Sequence, residues 1–155
     1  FLWLSDPSLR SLLWGLPVSL AGLWLRGWAA GHLAKNQTLT TGGPYAWVRN
    51  PLYLGTLITA AGIALASRRA SLAILFAVFF VFLYLPAIEL EEQYLRELFP
   101  DFSQYSARVP MLLPRPPRAP SQARFSWRIY LRNQEYKALL GFLFGVAVLL
   151  LKTWL

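Results

Sequence analysis

Four apolar segments dominate this 155-residue chain and leave it few ways to fold in water. They cover about residues 9–33, 52–67, 71–90 and 138–151, and a helix needs about 20 such residues to cross a bilayer. The chain is 56% hydrophobic and only 14% charged, against about 25% charged residues in a soluble domain. A water-soluble domain of this size lacks the interior to bury so much apolar surface. We therefore predict an all-α integral membrane protein, a single domain over residues 1–155 that forms a polytopic bundle of about four transmembrane helices.

The second and third segments are separated only by Arg68, Arg69 and Ala70. So short a connection predicts a tight antiparallel helical hairpin. The second segment is short for a span, and its Gly55 and Gly62 favour close packing against another helix.

The distribution of basic residues predicts the orientation in the membrane. With four crossings, residues 34–51 and 91–137 share one side, which carries ten Lys and Arg residues against four on the other. The ten are Lys35, Arg49, Arg96, Arg108, Arg115, Arg118, Arg124, Arg128, Arg132 and Lys137, and the four are Arg10, Arg68, Arg69 and Lys152. The positive-inside rule then predicts that the larger set is cytoplasmic. Anionic membrane lipids and this rule explain the net charge of +8, so nucleic acid is not a predicted partner.

Residues 91–137 are predicted to form a cytoplasmic cap followed by a connector. Residues 91–105 favour helix up to Pro100, and the prolines in residues 109–120 favour extended and polyproline-like chain. Residues 125–136 mix aromatic and basic side chains, which predicts an amphipathic helix on the membrane surface before the last span.

Metal and thiol chemistry find little support in the composition. The chain has no cysteine and one histidine, His32, so neither a disulfide framework nor a zinc site is predicted. We interpret His32 as an interfacial residue. Arg26, inside the first apolar segment, either extends to the head groups or faces the bundle interior.

A turn dense in polar and aromatic groups precedes the second apolar segment directly. Residues 43–55 read Gly-Pro-Tyr-Ala-Trp-Val-Arg-Asn-Pro-Leu-Tyr-Leu-Gly, and Pro51 suits the first turn of a helix. Tyr45, Trp47 and Tyr53 could face an adenine ring or a sulfonium cation. The residue types fit an interfacial aromatic belt with an arginine anchor at least as well.

Three carboxylates follow the third apolar segment: Glu89, Glu91 and Glu92. Carboxylates near a membrane are costly unless they are paired or hydrated, which makes them functional candidates. One of them could hold an ammonium group, or the three could form a hydrated acidic turn at the helix end. Arg49 and Arg108 are the best candidates for binding a carboxylate or phosphate, and head-group anchoring is the alternative for both.

The turn resembles the G-P-Y-x-x-V-R-[HN]-P-x-Y-x-G segment of the isoprenylcysteine carboxyl methyltransferase and phospholipid methyltransferase family. These are integral membrane enzymes that use S-adenosylmethionine. The resemblance continues through Glu91-Glu92-Gln93-Tyr94-Leu95 and through the spacing of aromatic residues in residues 99–110, and it covers about residues 42–114. Many members have His at the position of Asn50, and many carry an Arg where this chain has Pro86 and Ala87.

The resemblance implies a methyltransferase that moves a methyl group from S-adenosylmethionine to a lipophilic acceptor. A prenylcysteine-type carboxylate, a lipid amine or a small hydrophobic molecule would enter from the bilayer, and the cofactor from the cytoplasmic face. The implied cofactor-binding residues are Tyr45, Val48, Arg49, Asn50, Pro51, Tyr53, Leu54, Gly55, Glu91 and Glu92, and the implied catalytic residues are Glu92, Arg108 and Arg49.

Two other functions stay open at this point. One is a membrane sterol-type reductase that binds a nicotinamide cofactor. The other is a non-enzymatic membrane scaffold that binds lipid, which the departure at Pro86 and Ala87 favours. The methyl acceptor and the oligomeric state are left undetermined by the sequence.

Overall fold

The protein is built from helices. The computed structural model describes residues 5–154, and that part of the chain contains no β-strand. Its α-helices are α1 (Leu9–Ala30), α2 (Pro51–Ser67), α3 (Ala70–Phe79), α4 (Leu85–Leu98), α5 (Phe102–Arg108), α6 (Trp127–Arg132) and α7 (Tyr136–Trp154). A 3₁₀ turn covers Gly43–Ala46, and a π-helical turn, Phe80–Tyr84, joins α3 to α4. The predicted all-α class is confirmed.

Helices α1 and α2 pack antiparallel with their backbones unusually close. The Ser11 hydroxyl donates to the Ala66 carbonyl at 2.8 Å, and the Ser19 hydroxyl donates to the Thr59 carbonyl at 2.9 Å. Four glycines lie in the interface, seven residues apart on each helix: Gly15 and Gly22 on α1, Gly55 and Gly62 on α2. A side chain at any of them would overlap the backbone of the opposite helix. Small residues at such an interface let two apolar helices approach and interlock.

The predicted hairpin between the second and third segments is confirmed. Helix α2 ends at Ser67 and α3 begins at Ala70, with Arg68 in the left-handed region at a φ of 56°. The ring of Tyr53, near the start of α2, meets the ring of Tyr84, at the end of the π turn, with centroids 5.8 Å apart. The two helices therefore run side by side from the turn to this contact.

Helix α3, the π turn and α4 form one continuous helix, Ala70–Leu98, which is longer than the predicted segment 71–90. Pro86 lies just after the π turn. Proline cannot donate a helical hydrogen bond and its ring crowds the preceding turn, and the wider π turn relieves that crowding. As a result Glu89, Glu91 and Glu92 lie inside a helix that continues past them, and not at a helix end as we had expected.

Two described helices, Ala70–Leu98 and Tyr136–Thr153, are long and apolar enough to cross a membrane, which is fewer than the four predicted spans. Helix α2 is apolar but has 17 residues, a length of about 26 Å against a hydrocarbon core of about 30 Å. Helix α1 has 22 residues but includes Arg10 and Arg26, which lower its hydropathy. Large apolar side chains are strongly exposed, as with Trp14 at 75% and Phe144 at 73%.

The chain between α5 and α6 is irregular, as the prolines predict, and α6 is shorter than the amphipathic helix predicted over residues 125–136. Helix α6 is held against the end of α1. The Ser126 amide donates to the Gly31 carbonyl at 2.9 Å, and the Asn133 side-chain amide donates to the carbonyls of Ala30 at 2.8 Å and Leu33 at 3.0 Å. This places α6 beside the turn that precedes α2.

The glycine interface generates a first prediction. We expect Gly62→Ala to lower the free energy of unfolding by about 1–3 kcal/mol, because the new methyl group would overlap the α1 backbone. Gly145→Ala on α7 is the matched control, since a methyl group there meets nothing within 4 Å. It should leave stability unchanged or raise it by up to about 1 kcal/mol. Thermal unfolding in detergent measures both, and equal effects would contradict the interface.

Candidate functional site

The turn between α1 and α2 forms one wall of the candidate site. Gly43 has a φ of 58°, and the ring of His32 occupies the space where a side chain on Gly43 would lie. Only glycine fits this position without strain. The 3₁₀ turn follows at once, and Pro51 then begins α2 as predicted. The turn is thereby set at the end of α1, facing α4.

Arg49 and Glu92 form a bidentate ion pair across the site. The Arg49 Nε donates to Glu92 Oε1 at 2.9 Å, and Nη2 donates to Oε2 at 2.8 Å. The remaining nitrogen, Nη1, donates to the carbonyls of Ser106 at 2.8 Å and Val109 at 3.0 Å. The two side chains are 13% and 9% exposed. Every nitrogen of the guanidinium is engaged, so this pair joins the turn to both α4 and α5.

Asn50 strengthens the same junction. Its side-chain amide donates to Glu92 Oε1 at 2.8 Å and to the Met111 carbonyl at 3.4 Å. The backbone amides of Arg49 and Asn50 donate to the carbonyls of Pro110 at 2.8 Å and Met111 at 3.2 Å. Both oxygens of Glu92 are therefore bound by protein groups, and the segment after α5 lies alongside the turn.

Two buried tyrosines complete the wall. The Tyr105 hydroxyl donates to the Tyr45 carbonyl at 2.7 Å, which connects α5 to the turn. Burial raises the pKa of the Tyr45 phenol, and the nearby Tyr105, Glu91 and Glu135 act in the same direction. Burial likewise raises the pKa of Tyr105, against the opposing effect of Arg49. Both hydroxyls therefore stay protonated at physiological pH and can donate hydrogen bonds.

A cavity of about 570 Å³ opens between the turn, the end of α1 and α4. Glu91 lines it, and its Oε2 accepts a hydrogen bond from the Tyr53 hydroxyl at 3.1 Å. The rings of Tyr53 and Tyr84 meet edge to face beside this carboxylate. Residues of the loop after α1, from Leu33 to Thr40, form a further wall. The cavity combines an accessible carboxylate with several aromatic faces.

The structure brings most of the sequence-derived site residues to this cavity. Those that line it are Tyr45, Arg49, Asn50, Pro51, Tyr53, Glu91 and Glu92. Val48 is buried beneath the turn, Gly55 faces α1, and Leu54 is half-buried outside the lining. Arg108 is exposed on α5, where its Nε donates to the Gln104 carbonyl at 3.2 Å. It does not join Arg49 and Glu92 at the cavity.

Arg26 is a cavity residue to which the sequence assigned no role. It faces the bundle interior and pairs with Glu135, with Nε to Oε1 at 2.5 Å and Nη2 to Oε2 at 3.1 Å. Its Nη1 also donates to the Leu52 carbonyl at 3.3 Å and to the Thr56 hydroxyl. A charge inside an apolar helix was the available signal, because such residues almost always face a partner or a cavity. No sequence feature identified Glu135, 109 residues away, as its partner.

A second cavity, of about 440 Å³, lies between α1, α6 and the start of α7. Its lining is mostly apolar and aromatic: Leu20, Leu23, Trp24, Gly27, Trp28, Phe125, Trp127, Tyr130, Glu135 and Leu139. Glu135 belongs to this cavity and Arg26 to the first. The ion pair between them therefore stands at the boundary of the two cavities.

Comparison with known proteins now identifies the family. The phospholipid methyltransferase family matches residues 14–101, more than half of the chain. The chain belongs to the phospholipid methyltransferase family. With its two apolar helices, this makes it a membrane protein of a methyltransferase family. The matched residues include the turn, Arg26 and the Glu91–Glu92 pair, and they end before α5.

Two curated relatives carry names that refer to metal resistance. The cobalt-zinc-cadmium resistance protein CzcN of Cupriavidus metallidurans is 32% identical over 114 residues, which are 73% of this chain and 52% of that protein. The nickel-cobalt-cadmium resistance protein NccN of Alcaligenes xylosoxydans xylosoxydans is 31% identical over 114 residues, 73% of this chain and 53% of that protein. The chain spans about half the length of the curated relatives it matches. No solved structure matches it significantly.

The Arg49–Glu92 pair generates a second prediction. We expect Arg49→Gln to lower the free energy of unfolding by about 3–5 kcal/mol, because the substitution leaves the Glu92 charge buried without its partner. Arg108→Gln removes an equal charge from the exposed side of α5 and should cost less than about 0.5 kcal/mol. Thermal unfolding of both variants in detergent gives the comparison. A mild effect of Arg49→Gln, close to that of Arg108→Gln, would show that the pair does not hold the site together.

Proposed function

We propose that the protein is an integral membrane methyltransferase that uses S-adenosylmethionine and modifies a lipophilic acceptor. The observation that carries the proposal is the cavity in which Glu91 and Tyr53 stand beside the Arg49–Glu92 junction, in a chain of a methyltransferase family. Family membership supports the reaction class. The first cavity is the reason for proposing this cofactor, and the second cavity is the reason for proposing a lipophilic acceptor.

The residues that line the first cavity fit S-adenosylmethionine. Its volume of about 570 Å³ lies within the range of about 300–1,000 Å³ that is usual for ligand sites. The cofactor carries an ammonium group, a sulfonium cation and an adenine ring. A carboxylate suits the ammonium, and aromatic faces suit both the sulfonium and the adenine. Glu91, Tyr45, Tyr53 and Tyr84 supply these groups.

We assign the contact with the cofactor's ammonium group to Glu91, and we assign Glu92 a structural role in the wall of the cavity. The oxygens of Glu92 are already bound by Arg49 and Asn50. Glu91 is exposed to the cavity and accepts a hydrogen bond from the Tyr53 hydroxyl, so it retains acceptor capacity for a cationic group. This changes the expectation that both carboxylates contact the cofactor and that Glu92 is catalytic.

When bound, S-adenosylmethionine supplies a methyl group already activated on sulfur. The protein then needs chiefly to align the reactants and to exclude water. The Arg49–Glu92 junction holds the turn rigid, and the rings of Tyr45 and Tyr53 border the cavity.

The second cavity supports a lipophilic acceptor. An apolar chain fits between Trp24, Trp127 and Leu139, and its head group would lie at the Arg26–Glu135 pair, next to the first cavity. A carboxylate acceptor needs no base, whereas an amine must first lose a proton. Prenylcysteine-type carboxylates, lipid amines and small hydrophobic molecules all remain candidates.

Four membrane crossings and a cytoplasmic cavity also belong to this proposal. Helix α2 runs beside α3, which is part of a helix long enough to cross, and α1 packs along α2. If α3 crosses, its two neighbours therefore occupy the same depth of the bilayer. The asymmetry of ten against four basic residues then favours a cavity on the cytoplasmic side of one membrane domain.

Calorimetry of S-adenosylmethionine binding to the detergent-purified protein tests the function. We expect saturable binding, weakened about 10- to 100-fold by Glu91→Gln, because a hydrogen bond to a charged group contributes about 1.5–3 kcal/mol. Glu89→Gln is the matched control, since Glu89 lies on the same helix but does not line the cavity.

Three outcomes of that experiment would contradict part or all of the proposal. Equal weakening by the two substitutions would remove the assignment of Glu91. Binding of a nicotinamide cofactor in place of S-adenosylmethionine would favour the sterol-type reductase. Binding of neither, by folded protein, would favour the scaffold.

A further inference from the structure

The segment between α5 and α7 carries an uncompensated positive charge. Five arginines lie on it, which we call the arginine arc: Arg115, Arg118, Arg124, Arg128 and Arg132. All five are exposed. The sequence has no acidic residue between Asp101 and Glu135, and Glu135 is bound to Arg26. Within residues 5–154 no arginine of the arc forms an ion pair. Like charges held together repel, so the arc favours an anionic partner.

Helix α6 combines this charge with exposed apolar side chains. Trp127, which also borders the second cavity, and Leu131 are four residues apart, share one face and are 70% and 58% exposed. Arg128 and Arg132 form the adjacent stripe, also exposed. Tyr130 faces inward toward α1, near Gly27. An apolar stripe beside a basic stripe is typical of a helix that lies in the interface of a bilayer.

The position of α6 in the fold matches the head-group level. Hydrogen bonds from Ser126 and Asn133 hold α6 to the end of α1. The apolar helix α7, one of the two that can cross a membrane, begins at Tyr136, four residues after Arg132. Arginines at the end of a membrane-spanning helix lie among lipid phosphates, with which a guanidinium forms bidentate hydrogen bonds.

The connector that carries the rest of the arc is fixed in place. The Arg115 amide donates to the Trp47 carbonyl at 3.0 Å, and the Gly43 amide donates to the Ser121 hydroxyl at 2.9 Å. Both contacts attach it to the turn of the candidate site. The backbone of the connector is therefore attached to the turn at two points, which reduces the backbone entropy lost when a partner binds.

We propose that the arginine arc is a binding surface for anionic phospholipid head groups, in the leaflet at the α6 end of the bundle. The proposal is independent of methyl transfer. A nucleic acid would also be attracted by the charge, but the exposed Trp127 and Leu131 and the adjacent start of α7 favour a membrane.

Native mass spectrometry of the detergent-purified full chain, titrated with phosphatidylglycerol or phosphatidylcholine, tests the proposal. We expect the unaltered protein to bind phosphatidylglycerol more tightly than phosphatidylcholine. The double variant Arg124→Gln/Arg128→Gln should lose affinity for phosphatidylglycerol by about 25-fold, at about fivefold for each arginine removed. Its affinity for phosphatidylcholine should stay unchanged.

The double variant Arg10→Gln/Arg68→Gln is the matched control. It removes the same charge from exposed sites at the start of α1 and at the α2–α3 turn, and it should keep the preference for phosphatidylglycerol. A circular dichroism spectrum and a single elution peak establish that each variant is folded.

Several results would overturn the proposal. Equal affinity of the unaltered protein for the two lipids would show that it has no preference for anionic head groups. Equal losses of phosphatidylglycerol affinity in the two double variants would show that the preference comes from net charge and not from the arginine arc. An RNA oligonucleotide that binds more tightly than phosphatidylglycerol, and only when Arg124 and Arg128 are present, would assign the surface to nucleic acid instead. None of these results bears on cofactor binding at Glu91.

Discussion

The ion pair between Arg49 and Glu92 is the contact on which the candidate site depends. It joins the turn to the last part of the long helix Ala70–Leu98, and the Arg49 guanidinium also donates to two backbone carbonyls at the end of α5 and just after it. Removing two charges from water is costly, and the cost is offset here because each oxygen and nitrogen of the pair has a hydrogen-bonding partner. These hydrogen bonds also fix the relative positions of the two side chains. Together with the backbone hydrogen bonds to Pro110 and Met111, the pair holds the turn as one wall of the cavity.

Two adjacent carboxylates serve different purposes because of helix geometry. Successive side chains on an α-helix point about 100° apart, so Glu91 and Glu92 have different partners although both line the cavity. Glu92 faces the turn and is used in holding the structure together, whereas Glu91 faces the cavity beside Tyr53. On the other side of the cavity, Arg26 and Glu135 form a second ion pair that, like Arg49 and Glu92, joins distant elements, here α1 and the start of α7. The candidate site thus lies between two ion pairs that tie distant parts of the chain together.

Local sequence patterns were sufficient for much of the fold and part of the site. Apolar segments with short connections predicted the helices and the α2–α3 hairpin, and Pro51 marked the start of α2. The helix through Pro86 was wrongly ended near residue 90, because the apolar run stops at Glu91 whereas the helix itself continues to Leu98. Seven of the ten residues that the family pattern implied for cofactor binding line the cavity. Arg108 stands apart on the exposed side of its helix, since its orientation depends on how α5 docks.

The sequence by itself determined that this chain is helical, that it is too apolar for a water-soluble domain, and that its turn and Glu91–Glu92 belong to a methyltransferase family. Such properties follow from composition, from periodicity and from short motifs, which act over a few neighbouring residues. Only the tertiary structure decided which carboxylate pairs with Arg49, that Arg26 meets Glu135 and that the arginine arc is held beside the turn. These depend on contacts between residues 38 to 109 positions apart, and such contacts are set by the packing of whole helices.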